Sequence, residues 1–89
     1  MSDPVFGDEK IEFPVEVHFR IVCVSEEQVG RDVRAAAESL GVGDRLKRGN
    51  ESRGGKYQSY QLSLVVESRE RMGEIDRTFR AVDGVKMVL

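Results

Sequence analysis

The sequence predicts a single α+β domain in which a four-stranded antiparallel sheet carries two helices on one face. Two stretches alternate apolar and polar residues, which is the period-two pattern of half-buried strands. Two others repeat apolar residues three and four positions apart, the spacing of an amphipathic helix. The chain has 89 residues and a mass of 10.0 kDa, which leaves room for one hydrophobic core.

The first strand and the first helix are predicted next to each other. The strand begins at Val15, and one of its faces carries Val15, Val17, Phe19, Ile21 and Cys23. Residues 25–28, Ser-Glu-Glu-Gln, match the capping box and predict a helix that begins at Ser25. Its apolar stripe runs to Leu40, and Gly41 suits the left-handed conformation that ends many helices.

The second half repeats this plan after a hairpin. Residues 44–50 predict a weak, polar strand, and residues 51–55 a flexible connection. From Lys56 a third strand points one face inward with Tyr60, Leu62, Leu64 and Val66. Ser68 caps a second helix whose stripe contains Met72, Ile75, Phe79 and Val82. Residues 85–89 predict the last strand.

The order strand, helix, strand, strand, helix, strand is typical of the split βαβ, or ferredoxin-like, fold. The apolar strands one and three should be central, and the polar strand two an edge. One core is predicted from Phe19, Ile21, Leu40, Leu62, Leu64, Ile75, Phe79 and Met87. The opposite sheet face should be open, with the candidate binding residues His18, Arg20, Tyr57, Ser59, Gln61 and Lys86 beside Glu16 and Ser63.

Residues 1–12 precede this domain, which we place at residues 13–89. They are acidic and follow no period, so we expect a mobile or loosely docked arm.

Composition excludes several classes of protein. The apolar runs are far shorter than the roughly 20 residues that a membrane helix needs. No apolar stretch follows Met1, so a cleaved secretory signal is not expected. Cys23 is the single cysteine, which excludes an internal disulfide and a zinc site of paired cysteines. The simplest location is the reducing cytoplasm.

Three short motifs carry a family resemblance over residues 11–89. They are Glu12-Phe13-Pro14, Gly55-Lys56-Tyr57-Gln58-Ser59 and the ending Val85-Lys86-Met87-Val88-Leu89. In this order and spacing they resemble the YbeD-like family of small bacterial proteins of unknown function. The resemblance implies a ferredoxin-like fold similar to ACT-type regulatory domains, which sense amino acids or other small ligands. Arg20 departs mildly from the lysine expected there.

No catalytic site emerges from the titratable residues. His18 shares a predicted face with Glu16, Arg20 and a serine of strand three, but a flat sheet offers no oxyanion hole or water-excluding pocket. Cys23 lies five positions after His18 in the same strand, so the two side chains point to opposite faces of the sheet and cannot bind the same metal. Cys23 is therefore expected to be a core residue. Gly49 and Gly54-Gly55 fit a hairpin turn better than a phosphate loop. We therefore expect no enzyme, no metal and no cofactor.

Charge is distributed unevenly along the chain. Residues 1–44 hold four basic and ten acidic side chains, whereas residues 45–89 hold ten basic and six acidic ones. Five cations crowd the second hairpin: Arg45, Lys47, Arg48, Arg53 and Lys56. They either protect an edge strand from aggregation or form a site for an anion or a protein partner. RNA is disfavoured, because RNA-recognition domains of this topology stack bases on several aromatic residues and only Tyr57 is available.

Three functions follow from these observations. The first is a regulatory domain of ACT type that binds a small-molecule effector or a partner protein, with a homodimer expected. The second is a protein–protein adaptor that uses the basic hairpin or the open sheet face. The third and weakest is RNA binding.

Overall fold

The computed structural model describes residues 11–89, and these form a four-stranded antiparallel sheet and two α-helices. The elements in chain order are β1 (Val15–Val24), α1 (Glu27–Ser39), β2 (Leu46–Glu51), β3 (Tyr57–Val66), α2 (Arg69–Arg80) and β4 (Val85–Val88). Short 3₁₀ turns at Gly43–Arg45 and Arg53–Gly55 flank β2. Residues 1–10 of the predicted acidic arm lie outside the described residues.

The strand order β2-β3-β1-β4 is that of the predicted ferredoxin-like fold. The two long, apolar strands are central and pair along their whole length, from Val15 opposite Val66 to Val24 opposite Tyr57. The polar β2 and the four-residue β4 form the edges. The core-facing positions of β1 and β3 carry most of the buried side chains of the sheet, whereas β2 and β4 each bury one residue, and this explains why the central strands are the richest in β-branched and large apolar residues.

The core lies between the helices and one face of the sheet. Its largest fully buried side chains are Phe79, Ile21, Leu62, Ile75 and Val33. Seven of the eight predicted core residues are buried, but the prediction for Met87 is wrong, since this side chain is 46% exposed. The pairing of β4 with β1 shifts register between Val22 and Cys23. As a result Met87 lies opposite Val22 on the open face, and Val88, opposite Ile21, is buried in the core instead.

The beginning of α1 differs from the predicted capping box. Ser25 does not cap the helix: its backbone N–H donates to the Lys56 carbonyl at 2.9 Å, and its hydroxyl donates to Glu51 Oε2 at 2.9 Å. Gln28 donates to Asp32 rather than to the backbone. Glu26 is the N-cap residue, and no side chain caps this end. Ser25 is held by the sheet and is therefore unavailable to the helix.

The other helix boundaries follow the sequence prediction. Gly41 has φ of +77° and ends α1, where the Val42 N–H donates to the Ala37 carbonyl at 2.9 Å. Ser68 caps α2, because its hydroxyl accepts from the Arg71 N–H at 3.1 Å. The predicted strand over residues 44–50 begins later, at Leu46, because Asp44 and Arg45 belong to a 3₁₀ turn.

Candidate functional site

The five cations of the basic hairpin do not converge on one site. Lys47 pairs with Gln61 on the open sheet face, whereas the next residue, Arg48, pairs with Tyr60 on the helix-covered face. Consecutive strand residues point to opposite faces, so these neighbours in sequence are separated in space. Arg45 lies with Lys47 at a shallow depression of about 260 Å³ that is also lined by Glu16, Gln61 and Ser63.

The remaining two cations belong to the connection between β2 and β3. Arg53 is exposed in the 3₁₀ turn. The Lys56 Nζ lies 5.6 Å from the centre of the Tyr57 ring, within cation–π range. The hairpin thus presents cations on both of its faces and at its tip rather than as a single patch.

The open sheet face carries most of the predicted polar residues. His18, Arg20 and Gln61 are exposed, and a 2.7 Å hydrogen bond joins His18 Nδ1 to the Ser63 hydroxyl. Tyr57 is half-buried, and Lys86 is exposed beside the register shift of β4. This serine–histidine pair lies on the exposed surface of the sheet, where Ser63 also lines the shallow depression beside Lys47.

One predicted open-face residue is unavailable to a partner. Ser59 is only 6% exposed, because β2 passes close over it at Gly49. Its hydroxyl donates to the Asn50 carbonyl at 3.0 Å. A Cβ on Gly49 would lie 2.6 Å from the Ser59 Oγ, so this close approach requires glycine. Ser59 therefore joins β2 to β3 instead of contributing to a binding surface.

Apolar residues take part in this face, and two of them, Met87 and Leu89, were not assigned to it by the sequence analysis. Met87 pairs with Val22, and the backbone of Leu89 exchanges two hydrogen bonds with that of Arg20. Val65, opposite Glu16, is 57% exposed, and Leu89 is 64% exposed. The open face is thus more apolar at its β4 side than predicted.

A second concave surface, on the helix side, was missed by sequence reasoning. It is a groove of about 530 Å³ between the start of α1 and the β2–β3 edge. We call it the helix-side groove; its walls are Cys23, Val24, Ser25, Glu26, Glu27, Gly30, Arg31, Arg34, Arg48, Gln58 and Tyr60. Its volume lies within the range of small-molecule sites, roughly 300–1,000 Å³.

Tyr60 gives this groove a buried polar atom. The residue is only 7% exposed, and its hydroxyl makes no hydrogen bond to any other side chain or backbone group of residues 11–89. A Cβ on Gly30 would lie 2.7 Å from this hydroxyl, so the absence of a side chain on α1 creates the space in front of it. A buried O–H without a partner is destabilising unless water or a ligand supplies one.

The arginines of the groove differ in how far they are already engaged. Arg31 donates to the Gln28 amide oxygen at 3.0 Å and lies 3.6 Å from a Glu27 carboxylate oxygen. Arg48 uses its Nε to donate to the Gln58 amide oxygen at 3.1 Å. Arg34 has no hydrogen-bond or ion-pair partner among residues 11–89. Within residues 11–89, all three guanidinium groups retain unused donors, but only Arg34 and Arg48 have no carboxylate partner.

Cys23 forms part of the groove wall but is itself buried in the core, as predicted from its position in β1. Desolvation by burial raises the pKa of its thiol above the ordinary value. The reactive thiolate is thereby disfavoured, and Cys23 is a packing residue rather than a nucleophile.

Within residues 11–89, the structure brings no three His, Cys, Asp or Glu side chains together as metal ligands. No helix in this part of the chain is long and apolar enough to cross a membrane.

Comparison with known sequences identifies the family. A family described as "Protein of unknown function (DUF493)" matches residues 8–89. The chain belongs to this family. A curated relative from Shewanella halifaxensis, named UPF0250 protein, is 34% identical over 89 residues and is matched over the full length of both chains. The resemblance to YbeD-like proteins of unknown function is thereby confirmed.

Comparison with solved structures confirms the fold. The solution structure of protein HP0495 from H. pylori matches with a TM-score of 0.69 at 20% identity, covering 98% of this chain and 97% of that one. The ACT domain of a GTP pyrophosphokinase from Chlorobium tepidum matches with a TM-score of 0.63 at 13% identity, covering 83% and 94%. The fold is thus ACT-like, as the resemblance implied.

The groove residues carried only a weak signal in the sequence. Tyr60 follows the apolar alternation of β3, which predicts an inward-facing ring but gives no indication of the partner of its hydroxyl. Gly30 lies inside α1 next to the buried Val29 and is the one feature that could have indicated a groove. Glycine destabilises a helix interior, so its presence there suggests that the space left by the missing side chain is used.

Proposed function

We propose that this chain is a non-enzymatic, cytoplasmic regulatory domain of ACT type that binds a small-molecule effector in the helix-side groove. The effector changes the stability of the groove walls, and a partner protein senses that change. The ACT-like fold, shared with the ACT domain of a GTP pyrophosphokinase, supports a regulatory role over an enzymatic one.

The observation that carries this proposal is the Tyr60 hydroxyl. Native proteins pair almost all their buried polar groups, so an exception calls for an explanation such as a functional role or a bound water or ion. This hydroxyl is buried, lacks a partner in the described chain and faces a groove of small-molecule size. Arginine and glutamine side chains surround it, so a ligand would find directional polar contacts rather than an apolar cavity.

A thermal-shift screen against amino acids, organic acids and phosphorylated metabolites tests the proposal. A ligand at ten times its Kd stabilises the folded state by about 1.4 kcal/mol, which raises Tm by roughly 6–11 °C in a domain of this size. We expect at least one compound class to produce such a shift.

Two glycine variants locate the effect. Gly30→Ala places a methyl group 2.7 Å from the Tyr60 hydroxyl and should abolish the shift. Gly73→Ala makes the same change inside α2, where the nearest atom is the flexible end of Arg77, and should leave the shift intact. The absence of any stabilising compound, or an equal shift in Gly30→Ala, would contradict the proposal.

The open sheet face favours a second candidate, a protein–protein contact that includes self-association. Met87, Leu89 and Val65 are exposed there, beside the cations Arg20 and Lys47. Sedimentation at high micromolar concentration should then give a mass above the 10.0 kDa of the monomer. Met87→Lys should return the measured mass to that of the monomer. A wild-type monomer at that concentration would rule out the homodimer.

A further inference from the structure

We infer that the effector presents an anionic group, a phosphate or a carboxylate, to Arg34, Arg48 and the Tyr60 hydroxyl. This inference rests on the proposed function, because it specifies the chemistry of a ligand in the helix-side groove. Each of the three groups retains donors that no described residue uses.

Arg48 is held in position before any ligand binds. Its Nε donates to Gln58, and the Gln58 amide nitrogen donates to the Gly49 carbonyl at 2.8 Å. Gln58 itself is buried, so the amide that orients the guanidinium is fixed within the hairpin. Within residues 11–89, no group accepts a hydrogen bond from the two terminal nitrogens of Arg48. A guanidinium oriented in this way can donate two parallel hydrogen bonds to a phosphate or carboxylate.

Arg34 approaches the same space from the helix. It lies four residues after Gly30, so both positions are on the same face of α1, one turn apart. Arg31, by contrast, is partly neutralised by Glu27. Arg34 has no acidic partner among residues 11–89, although the same helix offers Asp32 and Glu38. A cation left unpaired at a groove wall is available for an anionic ligand.

Tyr60 lies opposite Arg48 in the sheet, its hydroxyl lies beside Gly30 of α1, and it lines the same groove as both arginines. The tyrosine O–H can donate to an anionic oxygen, and hydrogen bonds to charged acceptors are about twice as strong as neutral ones. An anion would therefore satisfy the buried hydroxyl and both guanidinium groups at once.

The acidic residues of the groove lie at its other end. Glu26 and Arg34 are separated by eight residues, which is about 12 Å along a helix axis. Repulsion from Glu26 and Glu27 therefore directs the anionic group to the Arg34 end. A hydroxyl or amino group elsewhere in the ligand would suit the glutamates.

The test uses NMR titration of the wild-type chain with sodium phosphate and sodium succinate, each against sodium chloride at equal ionic strength. We expect one or both anions to shift the Gly30 amide and the Nε–H signals of Arg34 and Arg48. The two salts distinguish a phosphate site from a carboxylate site. An equal response to chloride would overturn the inference.

Matched variants separate a built site from general charge attraction. Arg34→Gln and Arg48→Gln should each raise the Kd of the anion that binds about tenfold, which is the effect of losing one charge-assisted hydrogen bond. Arg45→Gln removes the same charge from the open face and should have no effect, and Tyr57→Phe is the corresponding control for Tyr60→Phe.

The result also separates this inference from the proposed function. If neither anion binds while a cationic or neutral compound stabilises the wild type but not Gly30→Ala, the groove binds a ligand and its anionic character is refuted. If compounds of every charge fail to bind, both statements are refuted. Equal loss of anion binding in Arg45→Gln would refute the assignment to this groove.

Discussion

Replacing Tyr60 with phenylalanine should stabilise the unliganded protein while it weakens ligand binding. A buried, unpaired hydroxyl lowers the free energy of unfolding by about 1–3 kcal/mol. The groove admits water, which recovers part of this loss, so we expect Tyr60→Phe to gain about 1 kcal/mol. In a domain of this size such a gain corresponds to a rise in Tm of roughly 4–8 °C.

Urea denaturation followed by far-UV circular dichroism measures this gain, since the chain contains no tryptophan to report by fluorescence. Tyr57→Phe is the matched control, because this half-buried ring lies beneath the Lys56 ammonium and does not line the groove. We expect that control to leave the midpoint nearly unchanged. A loss of more than about 1 kcal/mol in Tyr60→Phe alone would show that the hydroxyl has a partner in the folded chain, and the argument for the groove would fail.

Three further predictions test helix capping, strand register and thiol burial. Ser68→Ala should lower the free energy of unfolding by about 1 kcal/mol because it removes a helix cap. Ser25→Ala should change it by less than about 0.5 kcal/mol. Equal losses of stability in urea denaturation would show that Ser25 caps α1 after all. Val88→Ala should lower the free energy of unfolding by about 1.5 kcal/mol, because it removes two buried methyl groups. Met87→Ala should lower it by less than about 0.5 kcal/mol, and the reverse order would refute the observed register of β4. Cys23 should react with a thiol reagent only as fast as the domain unfolds, because burial and its raised pKa both suppress the thiolate; rapid labelling of the native protein at pH 7 would contradict this.

The sequence was sufficient for the architecture because the pattern of buried residues repeats with the period of each element. The alternation in β1 and β3 and the stripes ending at Leu40 and Phe79 depend only on which side of an element meets the core. Gly41 and Ser68 were also predictable, since their effects are confined to the adjacent helical turn.

Tertiary contacts explain the predictions that were wrong. Ser25 fits a capping box locally, but Lys56 and Glu51 from the hairpin engage its backbone and its hydroxyl. The orientation of Met87 depends on a register shift against β1, which leaves no trace in the residues of β4 itself. In both cases a distant segment decides between two locally acceptable arrangements.

The candidate site was harder to predict than the fold because sequence proximity is a poor guide to a shared surface. Lys47 and Arg48 are adjacent in the chain and yet serve opposite faces, whereas Arg34 and Arg48 come from different elements and meet at one groove. The period of two already separates the first pair. No local pattern joins the second pair, since their meeting depends on how α1 lies across the sheet.

The edge of β4 is protected by a side chain. Arg80, the last residue of α2, donates from a terminal nitrogen to the Val88 carbonyl at 2.8 Å. Asp76 holds the same guanidinium through its Nε, also at 2.8 Å. An unpaired strand edge attracts a second strand, and here a charged group occupies one of the carbonyls that such a strand would use.

Removing this side chain should therefore increase self-association. Arg80→Ala frees the Val88 carbonyl and leaves the β4 edge open, so sedimentation at equal concentration should give a higher mean mass than wild type. Asp76→Asn should have a smaller effect in the same direction, because it releases the guanidinium without removing it. Arg77→Ala deletes a neighbouring cation of the same helical turn and should behave as wild type. If Arg80→Ala and Arg77→Ala sediment alike, net charge rather than occupation of the edge keeps the chains apart, and self-association must be explained by the open face alone.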